Sequence, residues 1–62
     1  MLRGGIDNIS NFNFINYLER LIKIQNNGKY SQTVLLKKEI LEIKHLNNRT
    51  WLLEKAEELE RQ

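Results

Sequence analysis

From Ile6 to Gln62 the chain contains one glycine, Gly28, and no proline. Those two residue types interrupt helices most strongly: proline lacks the amide donor and clashes with the preceding turn, and glycine has the most backbone entropy to lose. So long a stretch with one interrupter reads as helical segments meeting near Gly28. A β-rich fold would need more turn residues. The expected fold class is all-α.

The first segment carries its apolar residues at helical spacing. Phe14, Ile15, Leu18, Leu21 and Ile22 share a face, with Tyr17 at its edge, and Asn13, Asn16, Glu19, Arg20 and Lys23 fall opposite. Ser10 is a suitable N-cap, and Ile9 before it is placed to staple onto Phe14. The spacing predicts a helix over about 11–26, ending at Asn26-Asn27-Gly28, where Gly28 can adopt the left-handed cap conformation. Residues 1–9, with adjacent Gly4 and Gly5 and no apolar period, are expected to form a flexible leader.

The connection Asn27-Gly28-Lys29-Tyr30 is short, so the next helix should lie antiparallel to the first. Ser31 is its natural N-cap, and one helix is expected over about 32–61. Its apolar residues occupy several stripes. Leu36, Ile40, Ile43, Asn47 and Trp51 form one; Leu35, Leu46, Leu53 and Ala56 a second; Val34, Leu41, Leu52 and Leu59 a third. A helix apolar around so much of its girth is normally buried on more than one side. The first helix can cover one side; a second chain would have to cover the rest.

Chain length strengthens that expectation. The core of a 62-residue protein rarely supplies more than about 3–5 kcal/mol without a staple. With no cysteine, disulfides and thiolate metal sites are excluded, and a single His and a single Asp exclude a conventional zinc or calcium site. Association remains as the staple. The predicted architecture is an antiparallel helical hairpin with a longer second helix, self-associating into a bundle. The alternative is a break at the weak helix formers Asn47-Asn48, giving a compact three-helix bundle whose third segment is amphipathic through Leu52, Leu53, Ala56 and Leu59.

No constellation for catalysis is visible. His45 has Glu42 and Arg49 one turn away, which builds no triad. Glu54, Glu57, Glu58 and Glu60 read as a solvated face, and Gly4-Gly5 lacks the strand and the Lys-Ser/Thr of a phosphate loop. The expectation is a non-enzymatic protein-interaction module (an adaptor, regulator or inhibitor) that acts as a homo-oligomer, binds another protein and needs no cofactor. Its interface candidates are Leu36, Ile40, Ile43, Asn47, Trp51, Leu52 and Leu59. Trp51 is the natural anchor, and Asn47 a polar residue of the kind that fixes register.

The alternative function is nucleic-acid binding through a basic tip of Lys23, Lys29, Lys37 and Lys38. Against it stands the acidic last segment, where a three-helix DNA-binding domain would read bases. The longest apolar runs, Val34–Leu36 and Trp51–Leu53, are too short for a signal peptide or a membrane span. With no cysteine, the expected location is intracellular, by default cytoplasmic.

Overall fold

The computed structural model describes residues 5–62, with side chains from Asn8 onward. It contains three packed helices, α1 (Gly5–Asn27), α2 (Gln32–Glu42) and α3 (Arg49–Glu60), and no strand among the described residues. At 1.5 Å per residue, the 23 residues of α1 run about 34 Å, roughly the combined length of α2 and α3. α1 therefore forms the spine on which both shorter helices pack.

α1 starts earlier than its sequence signals. Gly5–Ile9 are helical, Ser10 lies inside the helix instead of capping it, and Met1–Gly4, the rest of the expected leader, lie outside the described residues. The reason is tertiary. The Ser10 carbonyl accepts the Asn47 amide (3.3 Å), the Asn11 side chain accepts from that of Asn47, and the Asn13 side-chain amide donates to the His45 carbonyl (2.7 Å). Three bonds to a distant loop hold turns whose local propensity is weak. At its other end α1 stops at Asn27. Gly28 takes φ +72° and donates its amide to the Ile24 carbonyl (2.9 Å), a left-handed cap that glycine adopts without a Cβ penalty.

α2 begins with tight turns: the amides of Gln32 and Thr33 bond the carbonyls of Lys29 and Tyr30 (both 3.1 Å). Ser31 occupies the N-cap position but makes no side-chain capping bond. The Thr33 hydroxyl donates instead to the Tyr30 carbonyl at 2.7 Å, which satisfies a side chain that is fully buried.

The continuous helix expected over 32–61 is broken. Ile43 turns extended (φ −69°, ψ 138°) and Asn48 is left-handed (φ 55°, ψ 41°), a conformation Asn tolerates better than most residues. The intervening segment is closed by Arg49, the first residue of α3. Its guanidinium reaches back to the carbonyls of Leu41 (3.1 Å), Ile43 and Lys44 (3.5 Å). Leu41 lies in the last turn of α2, whose carbonyls lack amide partners within the helix, Ile43 is its C-cap, and Lys44 belongs to the loop. A positive charge at the C-terminus of a helix also complements its dipole.

The break lets α3 fold back along α2, so that Lys37 pairs with Glu60. One core results. Tyr17, Leu21 and Ile24 come from α1, Leu36 and Ile40 from α2, Leu52 and Ala56 from α3. Within each helix these positions recur at three or four residues, so each lies on one face. Phe14, Tyr30, Ile43, Leu46, Leu53 and Leu59 pack around the edge. Fully burying a Leu or Ile contributes about 1.5–3 kcal/mol, so Leu36, Ile40 and Leu52 are the strongest single contributors.

Arg49→Ala is expected to destabilise the fold by about 1–2 kcal/mol, because it removes the donors of three carbonyls between the last turn of α2 and the loop after it. For a chain of this size that lowers Tm by roughly 5–15 °C. Arg49→Lys should recover little, since one ammonium cannot span three carbonyls. Thermal melts followed by circular dichroism check both; an unchanged Tm for Arg49→Ala would contradict the clamp.

Candidate protein-docking surface

The apolar face of α1 is wider than the strip that the core consumes. Beyond Tyr17, Leu21 and Ile24, the helix turns Leu18, Ile22 and Ile15 toward its flank, and Phe12 one step further round. Leu18 is half-buried, Ile22 is 48 % exposed, Ile15 54 % and Phe12 70 %. α3 runs beside this flank and adds Trp51 and Leu59. Between the two helices lies a groove of about 360 Å³, lined on one side by Leu18, Ile22 and Gln25 and on the other by Trp51, Lys55 and Leu59.

Trp51 is held at one end of that groove. Its ring meets Phe14 at a centroid distance of 5.9 Å and a tilt of 58°, a favourable aromatic arrangement, and the Lys55 ammonium sits 5.4 Å from its centroid. Lys55 also faces Glu58 at 3.7 Å. The indole is thus oriented from two sides while 42 % of its surface stays open.

A second hollow, about 350 Å³, lies between α1 and α2 and is lined by Arg20, Lys23, Ile24, Gln32, Leu35 and Glu39. Two of its charged groups, Arg20 and Glu39, are committed to each other. Arg20 grips Glu39 through two bonds (2.7 and 3.1 Å), the Tyr17 hydroxyl donates to the same carboxylate (3.1 Å), and the guanidinium lies over the Tyr17 ring at 5.2 Å. The Arg20 hydrogen bond holds the Glu39 carboxyl below its usual range, and Glu39 in turn pushes Arg20 higher. Burial, and then the bond to Glu39, raises Tyr17. This triad joins α1 to α2, and it offers a substrate neither a free base nor an open nucleophile.

The interface residues expected from sequence divide sharply. Leu36, Ile40 and Leu52 are buried inside the single chain, so in this arrangement they are not open to a second one. The break at 43–48 turns their stripe onto α1 and α3. Ile43 and Leu59 pack at the core's edge. Asn47 spends its backbone and side-chain amides on Ser10 and Asn11, and so ties the loop to α1. Trp51, with Leu59 beside it, reaches the groove.

Of the basic tip, Lys37 is paired with Glu60 and Lys23 lines the second hollow, while Lys29 and Lys38 are exposed. The His45 carbonyl receives Asn13. No group of three or more His, Cys, Asp or Glu able to hold a metal occurs among the described residues, and no helix there is long and apolar enough to cross a membrane.

Phe12 escaped the sequence reading, although its spacing from Ile15, Glu19 and Ile22 placed it on one stripe. No family model, curated protein or solved structure matches this chain.

The Arg20–Glu39 contact carries a pH dependence. Because Glu39 titrates lower in the fold than in the unfolded chain, its contribution is complete above the ordinary carboxylate range. It is lost as pH falls through the folded value. Both side chains are more than a third exposed, so the contribution is under about 1 kcal/mol. Glu39→Gln should lower the urea midpoint at pH 7 and narrow the gap between pH 7 and pH 3. An equal gap in both proteins would show that the pair adds nothing.

Proposed function

We propose that the protein is a non-catalytic protein-interaction module that acts as a homo-oligomer, docking through the apolar surface of α1 and α3. One observation supports this reading above the others. The core is already filled by residues from all three helices, yet Phe12, Ile15, Ile22 and Trp51 remain substantially exposed. Scattered exposed apolar residues are ordinary, but Ile22 and Trp51 line one groove, and Phe12 and Ile15 share a stripe of α1 with Ile22. Trp and Phe are also among the residues that anchor interfaces, because they bury a large area at small entropic cost.

The chemistry of the surface fits docking better than catalysis. Leu18, Leu21, Ile22, Trp51 and Leu59 give its walls an apolar majority, Gln25 and Gln62 add uncharged amides, and its two charges, Lys55 and Glu58, face each other. Apolar walls with a charged edge follow the pattern of protein interfaces, which keep charge at the periphery.

Two measurements test the proposal. Light scattering at ~100 μM should report an oligomer, because mass action populates a stabilising assembly at that concentration; a folded monomer there would contradict it. Trp51→Ala should leave the helical content intact while weakening association by about 2 kcal/mol, some thirtyfold in Kd. Unchanged association would remove Trp51 from the interface.

A further inference from the structure

The exposed apolar residues of α1 are arranged so that the helix complements itself. Phe12, Ile15, Glu19 and Ile22 recur at intervals of three and four, and so form one stripe. Its two isoleucines are related by symmetry. A two-fold axis crossing α1 between Leu18 and Glu19 carries Ile15 onto Ile22 of a second copy, and Ile22 onto Ile15. The same operation brings Phe12 opposite Gln25 of the second copy, at the end of the α1–α3 groove where Gln25 and Ile22 form the wall. We propose that the occupant of this surface is a second copy of the chain, docked with its α1 antiparallel to the first α1 about that axis. The inference rests on the self-association reading above and specifies its geometry.

The amount of surface agrees. Taking full side chains of roughly 150–250 Å², the exposed parts of Phe12, Ile15 and Ile22 on the stripe amount to about 300 Å² per copy, or about 600 Å² in a dimer. Specific interfaces bury about 1,200–2,000 Å² in total, a little over half of it apolar. The apolar surface of the stripe approaches the apolar share of the smallest members of that class. An isologous pairing also closes on itself, so it yields a discrete dimer and no open chain of subunits.

One feature of the stripe opposes the pairing. Glu19 is exposed beside the axis, so two Glu19 carboxylates approach each other. Their repulsion weakens the dimer without blocking it, and it provides a substitution that leaves the apolar contacts untouched.

The chain has no cysteine, so introduced thiols report register without background. A disulfide requires Cα atoms within about 7 Å. Antiparallel docking puts position 15 opposite position 22 of the other copy. It leaves the two positions 15 about 10 Å apart along the helix axis. Ile15→Cys mixed with Ile22→Cys under mild oxidation should therefore give a cross-linked heterodimer, whereas Ile15→Cys alone should not cross-link. Glu19→Cys should cross-link to itself. Glu19→Gln, read by sedimentation equilibrium, should tighten association several-fold. If scattering shows an oligomer but Ile15→Cys cross-links to itself, or Glu19→Gln leaves association unchanged, the antiparallel pairing is wrong and self-association stands. If the wild-type chain stays monomeric, both readings fall.

Discussion

The structure depends on the closure of residues 43–48. Helix α2 ends with carbonyls that need donors, and the next residues must reverse the chain without any glycine or proline. Arg49 meets both requirements. Its guanidinium covers the exposed end of α2 from the start of α3, so one side chain terminates one helix while opening the next. The left-handed Asn48 supplies the bend. Asn13 and Asn47 then tie the loop to α1 through the His45 carbonyl, the Ser10 carbonyl and the Asn11 side chain. Asparagines that look like weak links in a helical sequence thus act as fasteners between elements.

Everything downstream follows from that closure. With α3 folded back, Leu36 and Ile40 meet Leu52 and Ala56, and α1 covers them with Tyr17, Leu21 and Ile24. Two charged contacts, Arg20–Glu39 and Lys37–Glu60, sit at the rims of this core and join α2 to each neighbour. Exposed ion pairs contribute little energy, so they select the pairing of faces more than they hold it. The core uses one strip of each helix. What remains apolar on α1 and α3 is left on the outside, and that residue of unspent hydrophobic surface is the basis for the functional reading.

The all-helical class was legible because spacing and the shortage of helix interrupters both point to it. Gly28 as the stop of α1 was legible too, since the left-handed cap has a distinct residue preference. The boundary between α2 and α3 was harder. Asn47-Asn48 marked a possible break, but Leu36, Ile40, Ile43 and Trp51 also continue a single helical stripe across it. Periodicity cannot see that Arg49 lies close enough to bond three carbonyls five to eight residues earlier. The start of α1 was misplaced for the same reason, since its bonds reach residues more than thirty positions away. In the candidate site, Trp51 stands out in the sequence by its residue type. Phe12 was not singled out, because the apolar face of α1 is read first for its core and only then for what the core leaves uncovered.

The fold requires residues 32–61 to turn back on themselves instead of extending. Spin labels on cysteines placed at Lys38 and Glu60, with labelled chains diluted into unlabelled ones, measure this within one molecule. The closed fold, in which Lys37 reaches Glu60, predicts a short separation, near the 8–10 Å spacing of packed helices plus the label arms. A separation of about 33 Å, the length of an unbroken helix between those positions, would contradict it.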